Sequence, residues 1–181
     1  MFIWTSIAHM ALPLGEAGIT EIPNESAVLN SMQNNIGDRA GLYIFPGLGV
    51  GENASREEKS RAMKGMQQRI AANPSGILMY HPLGRQFAFG KSLAIEFSTE
   101  LLEAILVIWL LAQTQIASFG GRVGFVILAG ILAAIATNVS YWNWYGFPGV
   151  YTASYMLTQV IGFLLVGIVA GLMLRKLKTA G

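Results

Sequence analysis

The sequence predicts an α-helical integral membrane protein. Three to four transmembrane helices are expected, with a small outer-side α+β domain between the first span and the remaining ones. Three observations carry that expectation. Hydrophobic residues make up 53% of the chain and charged residues only 12%, too apolar a balance for an ordinary soluble domain. The apolar excess is concentrated after residue 92, in the stretches 92–119, 122–141 and 150–174. Each is long enough to cross a hydrocarbon core, which takes about 20 helical residues. The segment 15–91, by contrast, is punctuated by helix caps, glycines and prolines in the manner of a water-exposed domain.

Charge and composition exclude several functions. The net charge is +2, with no basic run outside the tail 175–181, which argues against a nucleic-acid partner. There is no cysteine, so disulfides, thiolate metal sites and haem attachment through cysteine are all excluded. The N-terminus has no basic stretch and no small-residue cleavage site, so it does not read as a signal peptide.

Residues 1–14 are apolar but short. As a helix they reach about 21 Å, less than the ~30 Å core. They are expected to be a partial or truncated span, with Trp4 at the membrane interface and His9 as a hydrogen-bonding or ligating group. In the segment 15–91, Asn24 is placed to cap a helix with Val28, Leu29, Met32 and Ile36 on one face. Gly41 to Pro46 reads as a short strand closed by proline. Ser55 and Glu58 form a capping box for a second helix, 56–72, whose inner side is marked by Met63, Met66 and Ile70. Gly76 to Pro82 reads as a second strand. The two helix-strand units should pair their strands in one sheet, which is marginal alone and needs a cover.

Orientation follows from Arg and Lys. The tail carries Arg175, Lys176 and Lys178, the first short turn carries Arg122, and the aromatic turn 140–148 carries neither residue type. Positive-inside logic puts the tail in the cytoplasm and the domain 15–91 in the periplasm of a bacterial inner membrane.

The residues with chemical potential are few. Glu96, Glu100 and Glu103 recur at i, i+4 and i+7, which lines their carboxyls along one stripe of a helix. A charged carboxylate near the bilayer centre costs at least about 2.5–3.5 kcal/mol on insertion scales. Such residues face a bundle interior, a cavity or a partner. The readings are a structural polar seam, a subunit interface that supplies the cation, a proton or ion path, or a carboxylate–histidine metal site. The last lacks the Glu-x-x-His spacing of bundle metal sites. Candidate partners in the chain are Lys91, Arg85, His81, His9, Asn138, Ser140 and Asn143. Tyr141, Trp142, Trp144 and Tyr145 crowd one interface, as a membrane belt or a docking surface. Gly167 and Gly171 stand at GxxxG spacing, and Ala129 and Ala133 form a similar pair, both suited to close helix packing. No nucleophile–base pair, oxyanion arrangement or phosphate loop is present, so no enzyme, metal or cofactor is predicted.

Five segments stand out along the chain: the opening Phe-Ile-Trp, the Pro23-Asn-Glu25 turn, Gly-Leu-Tyr-Ile-Phe-Pro-Gly47, Tyr80-His-Pro82 and above all Ser140-Tyr-Trp-Asn-Trp-Tyr-Gly-Phe-Pro148. With them the chain resembles a family of small bacterial multi-pass inner-membrane proteins with this type of aromatic turn. The resemblance implies a complete first span ending in the Phe-Ile-Trp segment, and this chain starts inside that span. It transfers no activity and no site. The expected function is a non-catalytic accessory or structural subunit of a larger membrane complex, in the direction of a respiratory or photosynthetic electron-transfer complex. Its partners would be other integral membrane subunits and lipid. The alternatives are a small proton- or ion-coupled transporter using the glutamates, and an envelope sensor whose domain 15–91 binds a ligand.

Overall fold

A computed structural model describes residues 1–51 and 53–179, with side chains through Leu174. The basic tail side chains Arg175, Lys176 and Lys178 lie outside the described residues. In chain order the elements are α1 (Phe2–Met10), α2 (Glu25–Ile36), β1 (Gly41–Phe45), α3 (Arg56–Lys64), α4 (Met66–Ala72), β2 (Gly76–Tyr80), α5 (Phe89–Ala112), α6 (Phe119–Tyr145) and α7 (Gly149–Thr179). They form two compact units, Met1–Thr20 with Phe87–Gly181, and Glu21–Gln86.

The helical unit is built on the α6–α7 hairpin. Ser118 starts α6 by accepting a hydrogen bond from the Gly121 amide at 3.1 Å. Gly146, in the left-handed region at φ +72°, ends it. Only three residues separate the two helices, so they run antiparallel. Glycines let them touch. A Cβ on Gly130 would sit 2.5 Å from Phe163 Cβ, and one on Gly167 would sit 3.3 Å from Val123 Cα. One on Gly171 would sit 2.9 Å from the Phe119 ring. The small apolar core joins three helices: Val107 and Leu111 from α5, Val126 from α6, and Phe163, Val166 and Ala170 from α7.

Two helices, Phe119–Tyr145 and Gly149–Leu174, are long and apolar enough to cross a membrane. Their apolar windows are only 17% and 39% buried, whereas the core helix of a soluble protein would be mostly covered. The expected span 92–119 takes a different form. Its helix, α5, starts earlier, at Phe89, and stops at Ala112. The Thr114 hydroxyl donates to the Leu111 carbonyl at 2.8 Å and satisfies that helix end. Ser118 then opens α6, so 113–118 is a turn. With Glu96, Glu100 and Glu103 in its apolar stretch, α5 is not among the two helices that qualify as spans. Arg122, expected in the turn, lies in the first turn of α6, buried, with Nε donating to the Ile116 carbonyl at 3.1 Å.

In the unit Glu21–Gln86, β1 and β2 pair antiparallel, with Leu42 opposite Met79 and Ile44 opposite Ile77. The Tyr80 hydroxyl donates to the Gly37 carbonyl at 2.9 Å and ties the sheet to the end of α2. The Ser55–Glu58 capping box is present on α3. Three local expectations are corrected. Asn24 adopts φ +54°, and its side chain does not cap; its carbonyl receives the Ala27 amide instead. The helix 56–72 breaks at Gly65 into α3 and α4, because glycine costs about 1 kcal/mol in a helix interior and no core contact offsets it. Met63 and Ile70, assigned to an inner face, are exposed.

Gly130→Ala should destabilise the hairpin by about 1–3 kcal/mol through overpacking against Phe163. Gly124→Ala, with open space around its Cβ position, should not. Thermal unfolding in detergent, followed by circular dichroism, checks both. The Ser55 amide, and after it the Ser55 hydroxyl, hold the Glu58 carboxyl below the usual carboxylate range. A lowered folded value means that the charged cap's support is present above the unfolded-state value and is lost as pH falls through the folded one. Protection of the amides at the start of α3, taken relative to the intrinsic exchange rate at each pH, should therefore fall in acid, and this fall should be absent in Glu58→Gln.

Candidate functional site

The inward side of α5 changes character along its length. Towards its C-terminus it carries Val107 and Leu111, which join the core. One to two turns earlier the same side carries Glu100 and Glu103. Glu96 is exposed, Glu103 is half-buried, and Glu100 is only 6% exposed. The spacing of four and three residues therefore makes a stripe that runs from the surface into the bundle.

Short helix α1 supplies the facing groups. Thr5 and His9 stand one turn apart, and the Thr5 hydroxyl, the Met1 amine, Glu96 and His9 are the groups that act on Glu100. His9 Nδ1 is paired with the Thr5 carbonyl at 2.9 Å, and its ring meets the edge of Tyr155 at 5.6 Å. Trp4 fastens α1 to α7: Nε1 donates to the Thr158 carbonyl at 2.8 Å. The first half of α7 is polar inside, with Thr152, Ser154 and Thr158 buried. Across from it on α6, Thr137 bonds the Ala133 carbonyl and reaches Gln159 at 3.4 Å.

One group in this interior is not satisfied. Glu100 Oε2 is a buried oxygen with no hydrogen-bond partner. Native structures pair nearly all buried polar atoms, so this exception calls for a chemical reason. No group of three or more His, Asp or Glu is arranged to hold a metal among the described residues.

Of the partners expected for the stripe, His9 is brought among the groups facing Glu100. Asn138 instead bonds the Ala134 carbonyl and Thr137. Thr5 was not foreseen; its signal was the i, i+4 spacing from His9 on a helix only nine residues long. Gly130 was not foreseen either; the small-residue spacing of the sequence marks its neighbour Ala129, paired with Ala133.

The aromatic segment is helical rather than a turn. Tyr141, Trp142, Trp144 and Tyr145 form the last turns of α6, all substantially exposed, and the turn itself is Gly146 to Pro148. From it a file of rings runs along to α1: Tyr145, Tyr141, Phe147, Tyr151, Tyr155 and the exposed His9, with centroid steps of 5.7, 5.5, 5.4, 4.4 and 5.6 Å. Aromatic edges at such spacings stabilise one another and stiffen the α6–α7 end of the bundle. Comparison with family models, curated proteins and solved structures found no match.

Trp4→Phe keeps the ring and removes the bond to Thr158. A net loss of about 0.5–1.5 kcal/mol is expected. Proteolysis after Met10 should accelerate in the variant while the α6–α7 hairpin stays intact, read by mass spectrometry of the fragments.

Proposed function

We propose that the protein is a non-catalytic accessory subunit of a larger membrane complex, and that a partner subunit covers the unit Glu21–Gln86. One observation carries this reading. No described residue between Glu21 and Gln86 is buried. Yet the unit has regular structure, and one face of its sheet presents Leu42, Ile44 and Met79, each more than 60% exposed. A domain of this size stands alone only if it buries a core, and a two-stranded sheet is marginal even then. Contiguous exposed apolar surface of this kind marks an interaction site.

The membrane setting is supported by the outer faces of α6 and α7. Leu128, Leu132, Val169 and Leu172 are all at least half exposed there. In water these rows would be a large apolar patch; in lipid they are at home. In this reading α5 is a third crossing. Its polar stripe turns inward, and Leu102, Ile105, Leu106 and Trp109 turn outward. The unit Glu21–Gln86 then lies on the periplasmic side of a bacterial inner membrane, with the C-terminus in the cytoplasm.

The test is purification in mild detergent from the native membrane, with mass spectrometry of co-purifying chains and an absorption spectrum of the eluate. Stoichiometric membrane subunits are expected. The double variant Leu42→Ser with Met79→Ser should reduce their recovery about tenfold or more, the effect of losing two apolar anchors. A protein that purifies alone, or whose partners are recovered equally well with the double variant, sinks the proposal.

A further inference from the structure

We propose that Glu100 is a proton-binding site inside the helix bundle, exchanging its proton with the exterior through Glu96. The inference stands apart from the accessory-subunit reading and rests on three observations within the helical unit. The first is the orphaned oxygen: Glu100 Oε2 has no hydrogen-bond partner on a side chain that is 6% exposed. An ionised carboxylate in that setting is costly unless a cation accompanies it.

The second observation limits which cation that can be. Zinc takes about four ligands and calcium six to eight. No cluster of three acidic or histidine side chains is arranged for a metal among the described residues. Among the described residues no lysine or arginine acts on Glu100; the Thr5 hydroxyl, the Met1 amine and His9 on α1 and Glu96 on the same helix do, but neither the amine nor the imidazole is bonded to the orphaned Oε2. Glu103 stands one turn further along α5, and from α7 Tyr155 meets the ring of His9 and lies within electrostatic range of Glu96. The charged residue of α6, Arg122, is bonded to the Ile116 carbonyl at the far end of that helix and is not among the groups that act on Glu100. The proton is the cation that a single oxygen holds without a coordination shell.

The third observation is a route. Glu96 lies one turn away on the same stripe and is exposed, and Glu100 lies about 6 Å further along the helix axis. Thr5 and His9 flank the step, and both side chains can donate and accept. In the exchange, the O–H bond at Glu100 breaks as an O–H bond forms at Glu96, and Glu96 releases its proton to water. The reverse sequence reloads Glu100. No oxidant or other reactant is needed.

Infrared spectroscopy of the full chain in phosphatidylcholine vesicles tests the proposal. At neutral pH the spectrum should contain the carbonyl stretch of a protonated carboxylic acid, absent in Glu100→Gln and retained in Glu103→Gln. Transfer to heavy water should shift that band, and Glu96→Gln should slow the shift on the order of 100-fold, the usual effect of losing a positioned proton-transfer group. A natural-minus-Glu100→Gln difference showing a carboxylate overturns the binding site. A band that exchanges equally fast in Glu96→Gln overturns the route. Should Glu100→Gln fail to fold, the natural protein still decides. Dicyclohexylcarbodiimide, which enters apolar regions and reacts with protonated carboxyls, should give an adduct on Glu100 in peptide mass mapping. No adduct at Glu100 overturns the proposal.

Discussion

The contact between Gly130 and Phe163 holds the helical unit together. There the backbone of α6 lies against the base of the Phe163 side chain, at a distance no Cβ would tolerate. The core depends on that approach. Phe163 belongs to one core cluster with Val107 and Leu111 of α5, Val126 of α6, and Val166 and Ala170 of α7. Gly167 and Gly171 continue the close approach towards the start of α6. In a lipid setting this matters more than apolarity, because lipid tails are as apolar as leucine and close packing supplies the association energy.

Beyond that core the bundle becomes polar, and the change is graded along single helices. On α5 the inward positions pass from Leu111 and Val107 to Glu103 and Glu100. On α7 they pass from Ala170 and Phe163 to Thr158, Ser154 and Thr152. Helix α1, at nine residues, seats itself against this polar half through Trp4 and carries Thr5 and His9 with it. The carboxylate stripe and the file of aromatic rings meet at the same end, where Tyr155 touches His9.

The unit Glu21–Gln86 obeys a different logic. Its stabilising interactions are local: a capping box, a five-residue strand pairing and a tyrosine bond to the end of α2. Each fixes a conformation, and none removes much apolar surface from water. A helix cap contributes about 1 kcal/mol, against about 1–2 kcal/mol of backbone entropy for every residue ordered. The shortfall is the physical reason for assigning a covering partner to the open sheet face.

The sequence by itself determined what depends on neighbours a few residues apart. The capping box, both strands and the helical character of α5 to α7 follow from spacing, proline and glycine punctuation, and apolar length. The i, i+4, i+7 spacing of the glutamates likewise required a single stripe. Only the tertiary structure decided which of them is buried, because burial depends on where α1 and α7 come to lie, and nothing local to residues 96–103 encodes that. It also decided that Met63 and Ile70 have no core to enter, and that Gly130 rather than an alanine pair marks the closest helix contact. Pattern tells which faces a helix has; only packing tells which of them meets another chain segment.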